Sequence, residues 1–139
     1  MNIRSYKRRT IYDGQRVFVY RNLHQACWSV RATNGRDSGL VIAHADEIAM
    51  RDVDFVVNES GRQRVLSEGR KNVHAGIVGE FVADEDWYGK LDSWVRYDPR
   101  QSRHFMADGY TPVVSASEIW LDSAGRVHAA GCRKPFYVT

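Results

Sequence analysis

The chain has 139 residues, 43% of them hydrophobic, and a formal charge of +3. That is enough apolar material for a packed core, which argues against a disordered chain, and no run reaches the ~18 apolar residues of a membrane span. The basic start MNIRSYKRRT lacks the apolar stretch of a secretory signal, and Cys27 and Cys132 form no C-x-x-C pair, so a cytoplasmic protein with reduced, structural cysteines is expected.

In chain order, RVFVY (16–20) and CWSVRA (27–32) are β-prone and flank the polar RNLHQA, which predicts a hairpin. TNGRDSG (33–39) is a loop, with Asn34-Gly35 and Ser38-Gly39 as turn signals. LVIAHA (40–45) reads as a strand, DEIAMRD as a turn or continuing strand, and DFVV (54–57) as a strand. A short helix is predicted near 59–69. Asn58 or Ser60 caps it, Val65 and Leu66 give it an apolar edge, and Gly69 ends it. NVHAGIVGEFVA (72–83) alternates like a long strand with Ile77, Gly79 and Phe81 on one face, and its glycines predict a bulge or a close backbone approach. The acidic DEDWYGKLDS (84–93) reads as a linker. WVRY, the turn DPRQS and RHFMA then form a second hairpin. GYTP (109–112) is a loop, VVSASEIWL (113–121) and VHAAG are strands, and KPFYVT is a terminal strand or tail.

The two hairpins match each other. Tyr20 precedes Trp28 by the same spacing as Tyr97 precedes Phe105. HADEIAM (44–50) is echoed by SASEIWL (115–121), and Val-His-Ala occurs at 73–75 and 127–129. The matches need three different offsets. An internal duplication with halves 16–83 and 94–139 competes with chance similarity between amphipathic hairpins. The expected fold class is α+β, mostly β, in a single domain over 1–139. Two such halves would pack about a pseudo-two-fold axis or close one barrel-like sheet.

Charge is uneven. Arg4, Lys7, Arg8, Arg9, Arg16, Arg21, Arg31 and Arg36 fall within the first 40 residues against Asp13 and Asp37, and Arg62, Arg64, Arg70 and Lys71 add a second basic stretch. With Tyr20 and Trp28 interleaved, this composition suits stacking on aromatics and phosphate contact by Arg and Lys. Arg21, Arg62, Arg64, Arg70, Lys71, Tyr20 and Trp28 are therefore the candidate contacts, on a basic face built from the N-terminal arm and the 62–71 segment. No zinc-finger, KH or RNP signature, Walker loop, G-x-G-x-x-G or G-x-S-x-G is present. His44, Asp46, Glu47, Asp52 and Asp54 have no established metal-ligand spacing and read as an acidic edge that blocks strand pairing, so no metal or cofactor is expected.

Three function classes remain open. The leading one is a non-catalytic binding protein that engages nucleic acid or a nucleoprotein complex, with no membrane partner. The second is an inhibitor that binds a host defence protein through its aromatics. The third is a small hydrolase or nuclease using His24, His74 and Arg70 on phosphodiesters.

V-Y-R-N-L-H, C-W-S-V, A-H-A-D, G-R-Q-R-V-L and R-K-N-V-H-A, spread over 17–82, resemble small uncharacterised proteins of bacterial and prophage genomes. That resemblance implies a mobile-element context and a phage accessory protein. It implies no established activity and assigns a role to no residue.

Overall fold

The computed structural model describes residues 2–69, 72–83 and 91–136. Alternation sets the strands. The first expected hairpin forms from β2 (Arg16–Asn22), which buries Val17 and Val19, and β3 (Cys27–Ala32). The chain continues through β4 (Val41–Ala45) into β5 (Ile48–Val57), so DEIAMRD and DFVV are one long strand. β6 (Ala75–Val82) buries Ile77, Gly79 and Phe81 as the alternation requires. The second hairpin is β7 (Ser93–Arg96) with β8 (Phe105–Ala107), followed by β10 (Ser115–Leu121) and β11 (Val127–Ala130). Two strands were not anticipated. β1 (Ile3–Ser5) pairs with β4, and β9 (Thr111–Val113) forms inside the expected GYTP loop. Both are three-residue edge strands, recruited by a neighbour rather than by their own propensity. The predicted linker 84–93 falls outside the described residues at 84–90, and its Ser93 opens β7.

The described strands form one antiparallel sheet in the order β1-β4-β3-β2-β6-β5-β10-β11-β7-β8-β9. Counted outwards from the β5–β10 pair, the order is β6, β2, β3, β4 on one side and β11, β7, β8, β9 on the other. Each strand of the second series lies five places after its counterpart in the chain. The registers do not repeat in the same way. Ala49 faces Trp120 at the centre and pairs with Val82 on its other side, whereas Trp120 pairs with His128. The counterpart of His128 is thus Val82, and the two Val-His-Ala segments do not occupy equivalent positions. Duplication rests on strand order alone.

The sheet is strongly coiled. Trp28 Nε1 donates to the Asp122 carbonyl at 2.8 Å although β2, β6 and β5 lie between β3 and β10. Phe55 of β5 stacks on Phe105 of β8 with centroids 4.9 Å apart across β10, β11 and β7. The two wings therefore close over a single buried cluster drawn from both halves. The ends β1 and β9 do not pair with each other, so the sheet stays open rather than forming a closed barrel.

The glycines of β6 do what their positions suggested. A Cβ at Gly76 would lie 2.4 Å from the Phe18 ring, and one at Gly79 2.6 Å from Val53 Cγ1. Opposite Gly79, β5 shifts register between Arg51 and Asp54, with Asp52 at φ 49°, a left-handed conformation that aspartate tolerates better than most residues. Asp52 and Asp54 lie on this central strand, so these two are not at an edge. They point outward from the sheet, where Asp54 approaches Arg16 at 3.8 Å and Glu80 binds Arg51 at 2.8 Å.

The helix α1 (Glu59–Glu68) is capped by Asn58, whose side chain accepts from the Gly61 amide, and ends on Gly69 at φ 68°. Its docking edge differs from the one expected. Leu66 is exposed and Gly61 is the buried residue, with space for a Cβ closed off by His74 Cβ at 2.7 Å. The helix seats by a close backbone approach and by Arg62, with Val65 half-buried and Leu66 turned to solvent. No described helix is long and apolar enough to cross a membrane.

Candidate functional site

The coiling of the sheet brings the two hairpins face to face. A cleft of about 690 Å³ lies between them, lined by Tyr20, Arg21 and Trp28 from the first wing and by Trp94, Arg96, Tyr97 and Phe105 from the second. Gly125 and Arg126 of the β10–β11 turn, and Asp108 and Gly109 beyond β8, complete it. The paired Tyr and aromatic positions of the two hairpins, Tyr20 with Trp28 and Tyr97 with Phe105, thus all line the same cavity. That repeated spacing was the sequence signal for Tyr97 and Phe105, which charge counting passed over.

Neighbours hold most of these side chains. The Arg21 guanidinium lies 5.1 Å from the Trp28 ring and donates through Nη2 to the Ser123 carbonyl at 3.4 Å, while its Nη1 is shielded from solvent and meets no acceptor. Trp28 is buried and tied to Asp122, so it is a core anchor rather than an open stacking platform. Arg31 covers the Tyr20 ring at 4.8 Å. Arg126 lies over Trp94 at 5.1 Å and donates to Asp122 at 2.9 Å. Burial raises the proton affinity of Asp122, but hydrogen bonds from His128 and Arg126 outweigh it and hold the carboxyl below its ordinary range. Trp94 remains half-exposed at the mouth of the cleft.

The candidates on and near the helix are dispersed. Arg62 is 15% exposed, donates to the Pro99 carbonyl at 2.9 Å and pairs with Glu59 at 2.9 Å. Its Nε ties the helix to the 98–101 turn, and its Nη1 is taken by Glu59. Glu59 is held below its usual range by hydrogen bonds from Gln63 and Arg62. Arg64 is exposed. Arg70 and Lys71 lie outside the described residues. His74 Nδ1 is 2.9 Å from the Asn72 carbonyl, which can only accept, so Nδ1 carries the proton. Its Nε2 then accepts from the Tyr97 hydroxyl at 2.6 Å. Burial pushes that hydroxyl up to about 12, which keeps it a donor. Both ring nitrogens of His74 are thereby occupied and none is left for His24, which is exposed in the β2–β3 turn. Among the described residues no group of three His, Cys, Asp or Glu side chains is placed to hold a metal ion.

A second depression, of about 500 Å³, lies against the N-terminal arm. Lys7, Arg8, Arg9, Tyr12 and Arg36 line it, with Asp37 the acidic residue among its walls. Lys7 and Arg8 have φ of 53° and 59°, a tight turn that presents successive cations. Tyr6 anchors the arm through its amide to Ile42, and Arg9 Nη1 donates to the Val41 carbonyl at 2.8 Å. This basic cleft and α1 lie at opposite ends of the sheet. Arg16, next to the arm, pairs with Glu80 near the end of β6, whereas α1 leads into its start. An eight-residue strand spans about 25 Å, which separates the arm from the described part of the helix segment, residues 62–69.

Residues 10–129 match the family described as the Mycobacterium phage L5 gene 82 protein. The chain belongs to this family. A curated relative, the gene 82 protein of Mycobacterium phage L5, is 35% identical over 119 residues, covering 79% of this chain and 92% of the relative. No solved structure matches the chain. The match bears out the expected resemblance to phage proteins without an established activity, and it spans both clefts apart from the first residues of the arm.

Proposed function

We propose that this family member is a non-catalytic binding protein that engages nucleic acid, and that the phosphate backbone is held by the cleft of the N-terminal arm. The observation that carries the reading is the concentration of Lys7, Arg8, Arg9 and Arg36 around one depression whose walls include a single carboxylate, Asp37. Arg8 and Arg36 are exposed, so their donors can exchange water for phosphate oxygens at little cost, and counterion release from the nucleic acid supplies the drive. The test is binding of labelled single-stranded RNA, single-stranded DNA and duplex DNA as salt rises from ~0.05 to ~0.2 M. Affinity should fall linearly in a log–log plot, and Arg8→Glu with Arg36→Glu should weaken binding and flatten the slope by about one unit or more. Absence of binding to all three at low salt would overturn the reading.

A second reading, an inhibitor that docks on a host protein, is favoured by the half-exposed Trp94 and the exposed Tyr110, which flank the Asp108–Gly109 turn. There the aromatics would dominate affinity. Trp94→Ala and Tyr110→Ala would abolish capture of the host protein while the arm substitutions left it unchanged.

A further inference from the structure

We propose that the cleft between the two hairpins takes an unpaired nucleobase together with its phosphate, supplied either as a free mononucleotide or as one residue of a single strand. The single-strand source rests on the nucleic-acid reading above; the free-nucleotide source does not, and neither uses the residues of the arm.

Three observations converge. The cleft, at about 690 Å³, has the size of a small-molecule site. Aromatic side chains line it from both hairpins, Tyr20 and the half-exposed Trp94 among them, with Trp28 and Phe105 buried, which suits a flat ring better than an aliphatic ligand. Its charge is positive, with Arg21 and Arg96 against Asp108 and with Arg126 already paired to Asp122, so the ring it accepts carries an anion.

The decisive detail is Arg21. Its Nη1 is screened by protein and is not the atom a ligand meets; the half-buried guanidinium acts on an anion in the cleft through its charge and its remaining donors. Gly125, at φ 85°, lets the β10–β11 turn lie against this guanidinium; a Cβ there would stand 3.1 Å from Arg21 Nε. Trp28 beneath the guanidinium and the Ser123 carbonyl beside it fix its plane, so its charge is held in place at the wall. Arg96 is exposed at the opposite wall and can close on the same phosphate. A base within a duplex is stacked and paired and cannot enter a recess between two hairpins, so the site selects unpaired nucleotides.

The experiment is calorimetric titration of the full chain with AMP, GMP, CMP and UMP separately, with adenosine, with inorganic phosphate, and with a short oligo-dT. At least one mononucleotide should bind roughly tenfold or more tightly than adenosine or phosphate alone, a difference of about 1.4 kcal/mol. Arg21→Gln and Arg96→Gln should each remove most of that advantage and leave adenosine unchanged. Should Arg21→Gln fail to fold, the exposed Arg96→Gln carries the same test. If only the oligonucleotide binds and Arg96→Gln weakens it, the source is a single strand. No mononucleotide binding together with an oligonucleotide affinity indifferent to both substitutions overturns the proposal, as does mononucleotide binding that neither substitution alters. Arg8→Glu with Arg36→Glu should leave mononucleotide binding intact, so loss of salt-dependent binding in that variant concerns the arm cleft alone.

Discussion

Arg8 and Arg36 stand exposed around the arm cleft, whereas Arg62 and Arg126 are each held by carbonyls, carboxylates or an aromatic ring. The two sets are alike in sequence and differ in what their donors already bind. In the first, a guanidinium gives up only water when a partner arrives, so substitution should alter binding and spare stability. In the second, the charge is part of the architecture. Arg62 joins α1 to the second half, and Arg126 completes the shell of Asp122, which itself accepts the Trp28 indole through its carbonyl.

The largest expected effect lies at Trp28, where the two wings meet. Trp28→Ala removes a buried ring from the core, the platform of Arg21 and the donor to Asp122. It should cost roughly 3–5 kcal/mol in urea unfolding. Trp28→Phe keeps most of the volume and removes the indole donor, leaving the Asp122 carbonyl with the Gly125 amide, for about 1 kcal/mol. Equal and small losses in both variants would mean that Trp28 does not join the wings, and the contrast between built-in and available cations would lose its centre.

Much of the fold was legible in the chain. Alternation placed both hairpins and β6, Asn58 and Gly69 bounded the helix, and the glycines of β6 announced close approach. These are local signals. Sheet order and register were not, because they depend on which distant strand covers which face: nothing within residues 27–32 tells that Trp28 reaches Asp122. The candidate site divides on the same line. The repeated Tyr-to-aromatic spacing pointed at the inter-hairpin cleft, since period and spacing survive folding. The partners of Arg62 were not legible, because a linear charge run does not show that Pro99 will supply an acceptor. Likewise, β1 and β9 carry little strand propensity of their own and are formed by their neighbours.

Asp122 sharpens the contrast through pH. Its folded carboxyl lies below the usual range because hydrogen bonds from His128 and Arg126 to the ionised form outweigh the opposing effect of burial. A depressed folded value means stability that is fully present above the unfolded value near ~3.9 and is lost as pH falls through the folded one. Asp122→Asn should therefore be clearly less stable than the parent at pH 7, and the gap should narrow below about pH 4. Urea midpoints at pH 7 and ~3 measure it; a gap that stays constant would assign the loss to packing rather than to charge. Arg62→Ala should follow at about 1.5–3 kcal/mol, from hydrogen bonds to a charged group, while Arg64→Ala, two residues on and exposed, should stay within ~0.5 kcal/mol.

The smallest stability effect should come from the arm. Arg8→Glu and Arg36→Glu change two exposed side chains, and each should shift the unfolding midpoint by less than ~0.5 kcal/mol. The same double variant changes the local charge by four units, enough to turn the arm cleft from attraction to repulsion for a polyanion. Stability held constant while binding collapses is the signature of available cations. Arg62→Ala should give the reverse, a less stable protein whose residual folded fraction binds nucleic acid as the parent does. Were Arg62→Ala instead to reduce binding at full stability, the Pro99 and Glu59 contacts would be dispensable and the basic surface would extend to the helix. Comparing the two variants by thermal unfolding and by anisotropy in the same buffer separates these cases, because one readout follows the fold and the other the charge.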